Sequence, residues 1–434
     1  MTRHVFVLGL TPLQREELAT VHESGELQFH DLLDHETLVG TEEVDFDALL
    51  DRARAQLDAF GGSVDAIVSH WDFPTSVLGP VLAAERGLPA PSLTSLLKLE
   101  HKYWSRLEQR QSVPEVVPAF VAFDPFAVDA AEQIDLDFPY WVKPIKGHSS
   151  NLGFEIRDDS DLLAALEEIR AEITGVGDAF DQVLERVELP EELQGLGGSG
   201  CLAEEIITGT QFAPEGSVSG GQFAVHGVVD MLKAESGLSI ERIDYPAATV
   251  PEHVQQQARD VTARLLEHIG FDDGCFNSEF MWDEAREELR IIEVNTRISQ
   301  SHSEMFALVD GRSNHQVAVD VALGHTPSMP KGGGDLTVAA QYVVAHEGDA
   351  IVRAIPDASV LEQIAERYPG TKVTFPVAVG DRLSELPHQD SYRYLLAIVY
   401  VGAPDRESLR QRIDDIEQML QFDLEDCDEG SVSP

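Results

Sequence analysis

From position 275 the sequence reads CFNSEFMWDEAREELRIIEVNTRIS, which brings two carboxylates, an amide and a guanidinium within reach of one hairpin. CFNSEFMW (275–282) and LRIIEVNTR (289–297) have the composition of strands, and the acidic DEAREE between them that of a turn. Antiparallel pairing about position 286 sets Glu279 opposite Glu293, and the two-residue alternation of a strand puts Asn295 and Arg297 on the face of Glu293. Two glutamates and an amide oxygen form a hard, all-oxygen ligand set suited to Mg2+ or Mn2+. Such ions keep waters and bridge phosphates, and an adjacent arginine can clamp phosphoryl oxygens during transfer. The chemistry indicated is phosphoryl transfer.

The charge of the chain supplies a competing reading. Its 434 residues include 77 Asp and Glu against 31 Lys and Arg, a formal net charge of −46, so paired acids arise by chance and a solvated acidic hairpin would look similar. Ile291, Ile292 and Val294 argue for the site instead. They predict a buried strand, and buried carboxylates need a cation or hydrogen-bond donors. The acid excess runs along the whole chain, which argues against nucleic acid or an anionic membrane as partner, because phosphate attraction requires basic surface. It fits work in multimolar salt, where screening shortens to roughly 3 Å at 1 M. A halophilic source is expected, with loss of the fold at low ionic strength.

The length predicts two or three domains. No apolar run approaches the ~20 residues of a membrane span. The start, MTRHVFVLGLTP, has too short an apolar stretch for a signal peptide and leads into a strand. Three scattered cysteines (Cys201, Cys275, Cys427) carry no metal-ligand spacing and fit a reducing cytoplasm.

The elements that must position the hairpin follow from periodicity. Residues 1–100 alternate strand and helix in an α/β pattern: HVFVLGL, LQREELATVHESG, LQFHDLL, DFDALLDRARAQLDAFG and VDAIVSHW, with SVLGPVLAAERGLP completing another strand–helix unit. The first turn, GLTPLQ, lacks the glycine fingerprint of dinucleotide binding. LEHKYWSRLEQRQSVPEVVPAFV reads as a basic helix ending before Pro114. FPYWVKPI is a strand, LGFEIRD another, and DLLAALEEIRAEI a helix. PEELQGLGGSG connects to a strand, CLAEEII. QFAVHGVVDML is a strand and PEHVQQQARDVTARLLEHIG a long helix before the hairpin. HQVAVDVALG is a helix, PKGGGD a linker, and the following 85 or so residues a small α/β unit. DLEDCDEGSVSP reads as a disordered acidic tail.

Only seven lysines occur, so those retained are unusually good candidates for function. In WVKPIKGHSSNLGF, Lys143 leads into a turn whose backbone N–H groups and hydroxyls, Ser149 and Ser150 among them, could face phosphate oxygens. An ordinary Gly-Ser hairpin turn looks the same. His148 reads as a loop histidine. CLAEEIITG offers Glu204 or Glu205 as acceptor for an adenine amine, or else a surface turn.

Taken in order, Lys102, Lys143 with its loop, Glu204-Glu205, Glu279 and Glu293-x-Asn295-x-Arg297 resemble the ATP-grasp superfamily. EVNTRI followed by SHSEM and Asp310 is similar to biotin carboxylase, as more loosely is the segment after Pro330. The resemblance implies an α/β and α+β architecture: a Rossmann-like domain over 1–100, an ATP-grasp domain over 101–330 with a mobile lobe at about 137–207, a C-terminal α+β domain over 335–420 and the tail, 421–434. It implies that Glu279, Glu293 and Asn295 hold Mg2+ (or Mn2+), that Arg297 stabilises the phosphoryl group, and that Lys102 and Lys143 contact ATP. Ser149 and Ser150 would line the same phosphates, Glu204, Glu205 and Ile207 the adenine hinge, and Glu215 would face the substrate. Biotin carboxylase has a glutamate four residues after its arginine to deprotonate bicarbonate. Here that position is Ser301, which weakens a carboxylase reading. The expectation is an ADP-forming carboxylate–amine ligase acting through an acyl phosphate on small molecules, with a homodimer also implied. The rivals are a bicarbonate-activating carboxylase and a non-catalytic ATP-binding protein.

Overall fold

Two interleaved units make up the computed structural model, which describes residues 2–21, 24–39, 44–147, 152–234, 239–386 and 393–427. The first comprises Met1–His226, Val250–Ser299 and His315–Ser328; the second Gly227–Thr249, Gln300–Asn314 and Met329–Pro434. The boundaries expected at 100, 330 and 335 are linear, whereas these units exchange segments along the chain.

The first unit opens with β1 (Arg3–Leu8), α1 (Pro12–Leu18), β2 (Leu27–Leu32), α2 (His35–Val39), α3 (Phe46–Asp58), β3 (Ala66–Val68) and α4 (Thr75–Glu85). The strands pair in parallel in the order β2-β1-β3, as the alternation of strand and helix requires. Asp45 caps α3 by accepting the Ala48 N–H at 3.1 Å, and one face of that helix buries Phe46, Leu49, Leu50, Ala53 and Leu57. SVLGPVLAAERGLP supplies the helix that completes the expected strand–helix unit, α4, with Pro80 inside it. Val77, Leu78, Leu82 and Ala83 of this helix are all buried.

The basic helix expected from Leu99 onward is two helices, α5 (Leu93–Glu100) and α6 (Lys102–Ser112). His101 breaks them: its backbone is extended, and its ring accepts the Trp104 N–H at 3.1 Å as the cap of α6. β4 (Phe120–Phe123), which periodicity had not revealed, joins β5 (Tyr140–Pro144), β6 (Phe154–Ile156) and β7 (Cys201–Glu205) in an antiparallel sheet of order β4-β7-β5-β6. Between β6 and β7 run α7 (Asp159–Glu172) and α8 (Thr174–Leu184), the second unforeseen. Leu162, Leu166 and Ile169 of α7 pack with Tyr140, Val142 and Ala203 of the sheet.

After β8 (Thr210–Ser219) the chain runs through β9 (Gln222–Lys233) and β10 (Ile240–Tyr245), then returns to the first unit with α9 (Glu252–Ile269), β11 (Gly274–Asp283) and β12 (Glu288–Asn295). There β11 pairs antiparallel with β8 on one side and β12 on the other. α10 (Ser303–Asp310) belongs to the second unit and α11 (His315–Ala322) to the first.

In the second unit β9, β10, β13 (Val338–His346), β16 (Tyr394–Ala403) and β15 (Lys372–Thr374) are consecutive neighbours, and α12 (Ala358–Arg367) and α13 (Arg406–Met419) pack on that sheet around Tyr342, Val399, Ile364 and Ile413. PKGGGD is a packed strap rather than a linker. Gly334 donates its N–H to Val309 O at 2.9 Å, and a Cβ at Gly334 would lie 2.2 Å from Leu308 O. The acidic tail is ordered in part: β17 (Asp423–Asp426) pairs with β14 (Ala350–Ala354), because Leu424 takes a place beside Val352 and Leu383. Among the described residues no helix is long and apolar enough to cross a membrane.

Candidate functional site

The hairpin forms as its spacing predicts, with one local departure. Glu279 faces Glu293 and Asn277 faces Asn295, but a β-bulge follows, so that Phe280 pairs with Ile291 and Ile292 is the extra residue. Both carbonyls at the bulge are held: Arg106 Nη1 donates to Ile291 O at 3.1 Å and Nη2 to Ile292 O at 2.9 Å. Leu289, Ile291 and Val294 are buried, which leaves Glu293 and Asn295 on the half-exposed face.

Hydrogen bonds orient the carboxylates. Asn295 Nδ2 donates to Glu279 Oε1 at 3.1 Å, and Gln211 Nε2 from β8 donates to Glu279 Oε2 at 2.9 Å. Burial, followed by the Glu293 carboxylate, raises the Glu279 carboxyl well above the ordinary range, against the pull of Arg297. Arg297 does not neutralise the pair, because its fork closes on Asp72, with Nε to Oδ1 at 2.7 Å and Nη2 to Oδ2 at 2.9 Å. Two crowded carboxylates and an amide oxygen are a donor set short of positive charge, and they fit a hard divalent cation with coordination positions left for other oxygens. Among the described residues no three His, Cys, Asp or Glu side chains form a closed metal cage.

The lysines converge on the same region. Lys102 Nζ donates to Gly147 O at 2.8 Å. Burial lowers Lys102 to about 8; Glu293 and Glu100 oppose that shift, and Lys146 and Lys143 add to it. Lys143 Nζ lies 2.5 Å from Glu204 Oε2, and Arg106 Nε binds the other oxygen of the same carboxylate. Burial raises the Glu204 carboxyl, but Arg106 and then Lys143 outweigh it and bring the group down to about 2. Lys146 pairs with Glu100, which also accepts Thr296 Oγ1 at 2.6 Å. Lys146 Nζ stands 5.1 Å from the ring centres of both Phe73 and Phe180.

Glu205 is exposed at the end of β7 and accepts the Ala119 N–H at 3.2 Å; Ile207 follows in the connection to β8. That connection ends at Gly209, whose φ of +122° brings the chain against β11, where a Cβ would lie 2.2 Å from Trp282 O. Glu215, buried on β8 opposite Asn277, accepts the Ser299 N–H at 2.8 Å. Ser149, Ser150 and His148 lie outside the described residues.

Four partners escaped sequence reasoning. Arg106 was legible as the residue four after Lys102 on one helix face. Asp72 lies just beyond the carboxyl end of β3, where parallel sheets present side chains to ligands. Glu100 carries no signal in so acidic a chain, and Gln211 emerges only from the β8–β11 register.

Residues 136–304 match the ATP-grasp domain family. Across nearly the whole chain the fold is that of solved ATP-grasp enzymes. L-amino acid ligase from Bacillus licheniformis superposes with a TM-score of 0.73 at 17% identity, covering 97% of this chain and 98% of that one. Biotin carboxylase from Campylobacter jejuni gives 0.63 at 13% identity, with 98% and 93% covered. N5-carboxyaminoimidazole synthase from Aspergillus clavatus, solved with ADP, gives 0.65 at 14% identity, with 96% and 98% covered. In sequence, 81 residues, 19% of the chain, are 32% identical to the carbamoyl phosphate synthase large chain of Paenarthrobacter aurescens and span 7% of that protein. The chain carries an ATP-grasp domain and has the ATP-grasp fold.

Proposed function

We propose that this chain is an ATP- and Mg2+-dependent, ADP-forming carboxylate–amine ligase. The observation that carries the reading is the hairpin on which Glu279 and Glu293 face each other, with Asn295 beside them and Arg297 two residues on. Glu279, Glu293 and Asn295 would hold the metal, which supplies charge neutralisation at the transferring phosphoryl group. A substrate carboxylate oxygen bonds to the γ-phosphorus as the bond to ADP breaks. The amine nitrogen then bonds to the acyl carbon, losing a proton as phosphate leaves. Arg297, preorganised by Asp72, faces the charge that develops on the phosphoryl oxygens, and Lys102 and Lys143 orient the triphosphate. Glu204 holds Lys143 in place, so Glu205 and the backbone near Ile207 are better disposed toward adenine than Glu204. Glu215 is supported as a substrate-side residue only by its burial beside Ser299.

The acid excess supports function in high salt, and the three free cysteines, two of them buried, are compatible with a reducing cytoplasm. The test is a screen of acids and amines for ADP release in about 2–3 M KCl, where screening is strong. Amine-dependent release in the wild type, abolished by Glu293→Gln with the fold retained, supports the reading. Turnover undiminished in E293Q would overturn the metal assignment, and release that depends on bicarbonate instead of an amine would favour the carboxylase.

A further inference from the structure

In the second unit, β10 and the first turn of α13 border a cleft of about 260 Å3, floored by Leu232 and Leu409 and ringed by Arg242, Arg406, Arg410 and Asp244. None of these residues belongs to the site described above, which lies wholly in the first unit. Three guanidinium groups meet one carboxylate here, in a chain with 31 basic residues against 77 acidic ones. Such a concentration of scarce cations at one cleft is the reverse of the chain's general bias.

The guanidinium groups outnumber the carboxylate that two of them share. Asp244 is buried and shared, 2.9 Å from Arg242 Nε and 3.9 Å from Arg406 Nη1. Arg242 Nη2 also donates to Asp244 Oδ2 at 3.3 Å. Arg406 is fixed by donating to Pro246 O. Arg410 is exposed and makes no ion pair among the described residues. Glu417 of α13 also acts on Arg242; burial, then Asp414 and Glu241, raise its carboxyl against the pull of Arg242.

Forked guanidinium groups over an apolar floor recognise planar or tetrahedral oxyanions on a short hydrocarbon body. The volume falls just below the roughly 300–1,000 Å3 of sites for drug-sized ligands, so a whole nucleotide is too large. We propose that this cleft is a second ligand site, for a small organic oxyanion, either a carboxylate or a phosphate monoester.

The probes are succinate and glycerol phosphate, titrated calorimetrically into the full chain at constant KCl, with and without a saturating nonhydrolysable ATP analogue. Saturable binding of one of them, at one site per chain and unchanged by the analogue, is expected, and its identity separates carboxylate from phosphate. Arg242→Gln should weaken that binding at least tenfold and Arg410→Gln severalfold. R410Q alters an exposed residue and decides the matter alone should R242Q not fold. Absence of saturable binding by either probe, equal affinity in R410Q, or displacement by the ATP analogue would overturn the proposal.

Discussion

Replacing Glu204 by glutamine removes one negative charge from beneath two cations and leaves the shape of the side chain nearly unchanged. Glu204 is 4% exposed and engages Arg106 through one oxygen and Lys143 through the other. Its carboxyl stands at about 2 in the fold against an ordinary 4.5. A depressed acid adds stability above its unfolded value and loses it as pH falls through the folded one. That shift corresponds to about 3 kcal/mol at neutral pH. Removing one partner from a buried ion pair costs about 3–5 kcal/mol by a separate route, so the two estimates agree. The assay is urea unfolding at fixed high KCl, followed by tryptophan fluorescence. Trp104, buried on α6 two residues from Arg106, reports locally. E204Q should be less stable by about 3 kcal/mol at pH 7, and the gap should narrow by about 1 kcal/mol by about pH 3.5, as the carboxylate of the unfolded chain takes up its proton. A gap under about 1 kcal/mol at pH 7, or one that does not change with pH, would refute the assignment of Glu204 as the buried counterion.

Lys102, at about 8, should make affinity for an ATP analogue fall as pH rises from 7 to 9.5, because the ammonium that on the proposed function would face phosphate is lost; Lys102→Arg should flatten that profile. Gly209→Ala combines a φ of +122° with a Cβ 2.2 Å from Trp282 O, so it should destabilise by about 2–4 kcal/mol in the same urea assay. With a formal charge of −46, the protein should lose its far-ultraviolet helix signal on dialysis below about 0.1 M KCl, where the Debye length reaches roughly 10 Å, and regain it in molar KCl.

The hairpin was legible because a strand has a fixed period of two and the flanking residues were apolar enough to specify which face is buried. The bulge at Ile292 was not, since it depends on Arg106, 185 residues before Ile291, holding two carbonyls. Pairing about position 286 therefore holds for Glu279 and Glu293 but not for the turn side of the bulge. The two-helix break at His101 was hidden for a similar reason: a histidine cap has no compositional signature, whereas the Asp45 cap of α3 has one. Among side chains, the lysines stood out by rarity, while Asp72 and Glu100 were concealed among 77 acids.

The charge inventory of the site ties these observations together. Lys102, Lys143, Lys146, Arg106 and Arg297 face Asp72, Glu100, Glu204, Glu279 and Glu293, so five formal positive charges meet five negative ones before any ligand enters. Four of the cations are pinned by carboxylates: Arg106 and Lys143 by Glu204, Lys146 by Glu100 and Arg297 by Asp72. This fixes their positions, as electrostatic stabilisation of a transition state requires, at the cost of their net charge. A triphosphate brought into such a balanced site adds several negative charges that the side chains cannot offset. On the proposed function, the pair Glu279 with Glu293 is where compensation would enter, as a cation that the carboxylates and phosphate oxygens could share. On the same proposal, the retained lysines and arginines of this acid-rich chain would mark where the nucleotide lies, and the two glutamates without a dedicated cation would mark the metal.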